Sequence, residues 1–157
     1  MYQEQEIQKF FLEGVPASLE KLTVDTLPLW GSMDAKQMLV HLLQSTKMLH
    51  FKGEMQLRIP ANKTEKAIAF LYTEKPIQKG VQVPLDIGYN LSNGSEHELS
   101  QLKTDLLEAI TQMLHYFQAH PEHQSMHPFF GILNTEQWPL FQRKHFQHHL
   151  EQFGIKQ

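Results

Sequence analysis

The chain has no cysteine. Disulfides, thiolate metal ligands and a cysteine nucleophile are therefore excluded together. A reducing compartment, the cytoplasm, is the simplest setting for such a composition. Arginine is nearly missing as well, with only Arg58 and Arg143. The formal net charge is −3, and Lys47, Lys52 and Arg58 are scattered rather than clustered. There is thus no basic footprint for nucleic acid. No run approaches the roughly 18–20 apolar residues that a membrane span needs. The opening MYQEQEIQKFF is too polar and too acidic to read as a signal peptide. A Gly-rich phosphate loop, a nucleophile elbow and an HExxH motif are all missing.

What is present fits one domain spanning residues 1–157. The apolar share is 41% and the charged share 20%, an ordinary balance for a chain that buries a single core. Ile7, Phe10 and Phe11 mark a first helical face, which Gly14 and Pro16 are expected to interrupt before Leu19 and Leu22 continue it. Asp34 with Gln37 three residues on forms a capping box for a second helix. There Met38, Leu42, Ser45 and Leu49 share one face, and His41 lies beside it. Gly53 closes that region. A short helix fits Lys63 to Tyr72, and an extended run fits Gln82 to Ile87. Pro76, Gly80, Pro84, Gly88 and Gly94 make the stretch between helices irregular. Ser95 and Glu98 open a third long helix, carried by Leu99, Leu102, Leu106, Ile110, Met113 and Phe117 and stopped by Pro121. Asn134 with Gln137 caps the last helix, and Pro139 falls in its first turn. The fold class expected is all-α: a four-helix up-down bundle with one long crossover connection.

Ten histidines stand out in this composition. His145 and His149 are four residues apart on the last helix, a spacing that stacks them on one face about 5–6 Å apart. At about 100° per residue, they fall in the arc of Trp138, Phe146 and Phe153, while His148 falls at its polar edge. Imidazoles placed among core residues need partners, and a divalent metal is one. His41 faces inward on helix two. If those helices pack together, three imidazoles converge and leave coordination positions open, the arrangement of catalytic rather than structural sites.

Three segments also carry a family likeness. WGSMDAKQMLVHL around His41, HPFFG at 127–131 and KHFQHHLEQFG at 144–154 resemble the DinB-like (YfiT-like) superfamily of metal-dependent helical bundles, in a branch defined only as a domain of unknown function. The resemblance covers nearly the whole chain. It implies a four-helix bundle with His41, His145 and His149 as ligands. Neutral imidazoles suit zinc, nickel, copper and iron alike, and the divalent metal expected is zinc or nickel first and iron next. Characterised relatives transfer groups to low-molecular-weight thiols or isomerise substrates with thiol help. Here any such thiol must come from a cofactor or substrate. Pairing of copies through bundle faces, giving a homodimer, also follows from the likeness.

Other residues carry two readings each. His127 either approaches the metal or holds a proline-led turn that packs Phe129 and Phe130. His148 is the alternative ligand if the last helix is rotated. Trp30 and Trp138 line a pocket or fill the core. Gln37, Gln44 and Gln152 either support histidine ligands or face solvent. Two function classes follow. One is an enzyme with an open three-histidine site, acting on a small molecule as a thiol-linked transferase or hydrolase. The other is a non-catalytic bundle whose histidines are structural or hold metal adventitiously. From the ordinary histidine pKa of about 6.5, metal affinity is expected to fall below about pH 6.

Overall fold

The computed structural model describes residues 2–50, 55–80 and 96–156. Within them the chain is mostly helical with one small two-stranded sheet. The expected all-α chain is thus amended by that sheet. The Ser95 cap, the Gln82 to Ile87 run, Gly53, Pro84, Gly88 and Gly94 lie outside the described residues.

Helix α1 (Tyr2–Lys9) does not break at Gly14 and Pro16. It passes through a π-helical turn, Phe10–Gly14, directly into α2 (Val15–Glu20). The Val15 N–H bonds the Phe10 carbonyl, five residues back. A wide turn of this kind absorbs an extra residue, and it places Pro16 at the start of a fresh segment where its missing N–H leaves no gap. The turn also presents both Phe10 and Phe11 to the core. Phe11 meets Phe146 edge-on at 5.5 Å, locking this first helical segment to the last.

Helix α3 (Ala35–Lys47) starts where the capping box requires. Asp34 accepts the Gln37 N–H at 2.7 Å, and Gln37 Oε1 accepts the Asp34 N–H at 2.9 Å. Gln37 is therefore a cap and not a partner of the histidines. A short α4 (Thr64–Leu71) falls within the span that the sequence implied. Helix α5 (Glu96–Ala119) ends before Pro121. Residues 120–136 hold strands β1 (Gln124–His127) and β2 (Gly131–Asn134), paired antiparallel with His127 opposite Gly131. The pattern there is too short to announce a sheet: four residues per strand, closed by Pro128 and a Gly131 at φ +83°. Helix α6 (Gln137–Gln152) follows, with Asn134 Oδ1 accepting the Gln137 N–H at 2.9 Å and the Asn134 N–H reaching Gln137 Oε1 at 3.0 Å.

Helix α3 packs along α5 on one side and against α6 on another, and α4 covers α6 further out. Trp138, Phe146, Met38 and Leu99 are fully enclosed where these elements meet. Helix α6 is buried almost all round, including Gln142 and Lys144. Lys144 keeps its charge partnered by donating to the carbonyls of Thr73 (2.7 Å) and Lys75 (2.6 Å) and by lying over the Phe70 ring. Burial lowers its pKa.

Candidate metal centre

The crossing of α3 and α6 brings His41 against His145 and His149. His41 Nε2 lies 2.7 Å from His145 Nε2, and His149 Nε2 lies 3.1 Å from the same atom. The rings meet edge-on, with centroids 4.6 to 4.7 Å apart. One ring nitrogen from each residue lies within 4.8 Å of the others. Metal–nitrogen bonds of about 2.0–2.1 Å put two imidazole nitrogens about 3.3 Å apart at a tetrahedral ion, and about 3.0 Å apart at right angles. The two separations from His145 Nε2 need only tenths of an ångström of opening to reach those values, and the third pair lies within 4.8 Å. Three buried histidines therefore lie close enough together to hold one ion.

His41 and His149 are buried, while His145 keeps some accessible surface. Its ring is nonetheless enclosed by its surroundings. Phe141 stacks on one face of His145 at 5.3 Å, nearly parallel. Burial lowers the His41 pKa to about 4, with the charge of His148 adding to the effect. Burial and then the charge of His41 bring His149 to about 3, against a hydrogen bond that it donates to Gln152, which raises it. His145 is held well below the ordinary range by burial first and by His149 and His41 next. All three rings are thus neutral at pH 7, the state in which imidazole ligates metal.

Polar side chains surround the outer ring nitrogens. Ser45 Oγ lies 3.1 Å from His145 Nδ1, and Gln152 Oε1 lies 2.8 Å from His149 Nδ1. Gln152 was visible in the sequence as a possible support, three residues beyond His149. Gln142 was not, because its role depends on Ser45, which is 97 residues away in the chain. The signal available for Ser45 was a small polar residue within an apolar stripe. No hydrogen bond joins Gln44 to the cluster among the described residues.

His148 and His127 are not among the three converged rings. His148 is half-buried, its ring edge-on to Trp30 at 5.8 Å and to His149 at 5.0 Å. His127 is buried against Phe141, and its Nδ1 accepts the Phe129 N–H at 3.1 Å. It organises the hairpin turn rather than joining the cluster. Trp138 fills the core and its indole N–H has no partner among the described residues. Trp30 lies at the margin, partly exposed, with Lys79 Nζ 4.4 Å from its ring centroid.

Gly31 ties the Trp30 loop to the site. Its φ is +79°, and a Cβ there would stand 2.6 Å from Gln152 Nε2. Gly31→Ala is expected to lower stability by about 1 kcal/mol or more through the left-handed backbone alone. It should also push the Gln152 amide away from His149. A denaturant midpoint equal to wild type would contradict both effects.

No helix among the described residues is long and apolar enough to cross a membrane. Comparison with curated proteins and with solved structures finds no match in either. One family model does match, over residues 11–156, a span that includes all three clustered histidines. By that match the chain belongs to the family described as "Protein of unknown function (DUF1569)".

Proposed function

We propose that this chain is a DinB-like four-helix bundle in which His41, His145 and His149 hold one divalent cation, and that it works as a metal-dependent enzyme on a small molecule. The observation that carries this reading is the convergence of three Nε2 atoms at 2.7 and 3.1 Å from a common centre residue. Neutral imidazoles whose lone pairs face one another repel unless a cation lies between them. In the metal-free chain a single proton on His41 Nε2 can bridge to His145, and His149 then faces another lone pair. One ion among the three nitrogens would relieve both contacts at once. The helical segments α1–α2, α3, α5 and α6 supply the four long members of such a bundle.

Three protein ligands leave positions free for an exogenous group. When bound there, a divalent ion would supply Lewis acidity that lowers the pKa of a thiol or water. The chain itself contributes no thiol, so a thiol-linked transfer would use one brought in with the substrate. The chain's own contribution is to hold neutral rings in place and to exclude bulk water with Phe141 stacked on His145.

A bracing role is a second reading. The ligands join α3 to α6 across 104 residues of sequence, so a bound ion would also tie the two helices together. Calorimetric titration of metal-stripped protein with Zn2+, Ni2+ and Fe2+ tests the common premise. One ion per chain is expected. A folded protein that takes up none of them would overturn both readings.

A further inference from the structure

On α6 the ring nitrogens that face away from the cluster meet the Ser45 hydroxyl and the Gln152 amide, and the orientation of each partner is itself fixed. Gln142 Nε2 donates to the Ser45 carbonyl at 2.8 Å, so Oε1 is the end left to face the Ser45 hydroxyl at 3.2 Å. A hydroxyl has one proton. Given to Gln142, it leaves Ser45 Oγ as an acceptor toward His145 Nδ1 at 3.1 Å. Nδ1 then carries the ring proton, and Nε2 carries the lone pair. The opposite tautomer would need the hydroxyl to turn toward Nδ1, and the Gln142 carbonyl oxygen, in a fully buried residue, would lose its donor.

The same logic repeats one turn along. Gln152 Nε2 donates to the Trp30 carbonyl at 2.9 Å, which leaves Oε1 to accept from His149 Nδ1 at 2.8 Å. Flipping that amide would set its oxygen against the Trp30 carbonyl, two acceptors face to face. Both rings on α6 are thereby committed to the same tautomer by groups drawn from α3 and from the Trp30 loop.

We propose that Ser45 with Gln142, and Gln152 with the Trp30 carbonyl, are positioning residues that fix His145 and His149 as Nδ1–H tautomers, so that both Nε2 atoms are ready to ligate a divalent cation without moving a proton. The inference rests on the cation reading above, but its first test does not need a cation. Long-range proton–nitrogen correlation spectra of metal-free, 15N-histidine-labelled protein distinguish a protonated ring nitrogen from a bare one. Both rings should show bare Nε2 and protonated Nδ1. An Nε2–H form at either ring overturns the assignment for that ring.

The second test is a Zn2+ titration. Ser45→Ala and Gln152→Leu are each expected to weaken binding by about 10–100-fold, the usual effect of removing a group that orients a metal-ligating imidazole. Ser45→Thr keeps the hydroxyl and should restore both the wild-type tautomer and the affinity, which a purely structural role for Ser45 would not require. Wild-type affinity in Ser45→Ala overturns the proposal for His145. Should a variant fail to fold, the wild-type spectrum still decides. A wild-type chain with both expected tautomers and no zinc uptake would instead sink the cation reading and leave the tautomer assignment standing.

Discussion

A chain carrying His145→Ala is expected to lose cation binding altogether at micromolar concentrations. His145 Nε2 is the atom within reach of both other rings, 2.7 Å from His41 and 3.1 Å from His149. Removing it leaves only two imidazoles, one on α3 and one on α6, and takes away the nitrogen that lies closest to both. Structural zinc sites with four ligands bind with apparent free energies of about 10–16 kcal/mol, or roughly 3 kcal/mol per ligand, so one lost ligand weakens binding by more than about 100-fold. His41→Ala and His149→Ala should act in the same direction. His148→Ala is the control: its ring packs on Trp30 and against the edge of His149, and stoichiometry should stay at the wild-type value. Elemental analysis after equilibrium dialysis measures all four, with circular dichroism to confirm folding. Wild-type stoichiometry in all three cluster variants would place any bound ion elsewhere.

Much of this site could be read before the fold, and for a definite reason. The i,i+4 spacing of His145 and His149 fixes their relative position through helix geometry alone, and the apolar residues around them fix which way that face points. The caps at Asp34 and Asn134 likewise depend on residues three apart. That α3 and α6 touch is a tertiary fact, which periodicity does not contain. The family likeness supplied the pairing of His41 with the last helix; the residue pattern supplied only its inward face. Gln142 and Lys144 look like solvent-facing residues in the sequence and are buried in the structure. Their partners, the Ser45 carbonyl and the carbonyls of Thr73 and Lys75, lie 69 to 97 residues away. The π-helical turn at Phe10–Gly14 has no signature in the sequence, where Gly14 and Pro16 are ordinary breakers, and only the packing of Phe10 and Phe11 reveals why the chain continues through them.

Acid should separate the fold from the bound ion, and in a window lower than the ordinary histidine pKa implies. An exposed site would lose metal below about pH 6, as protons compete for three imidazoles of pKa about 6.5. Here burial brings His41 to about 4 and His149 to about 3, with His145 also far below its usual range. Protons therefore compete for the folded site only near pH 4 and below. In the unfolded chain these rings titrate near pH 6.5, so between about pH 6.5 and 4 the unfolded state binds more protons and stability falls as pH drops. Buried His127, lowered to about 3, adds to that loss without touching the cation. Two curves should result when melting temperature is followed from pH 7.5 to pH 4 with metal-loaded and metal-stripped protein. Both should descend together through pH 5.5, with the loaded protein keeping its advantage, because a ligand stabilises according to its affinity for the folded state alone. The gap should close only near pH 4. A gap that closes at about pH 6 would mean that the rings are solvated and titrate as free histidines. Coincident curves at pH 7.5, in samples shown to differ in metal content, would mean that the ion does not favour the folded state and so is not held by the three converged rings.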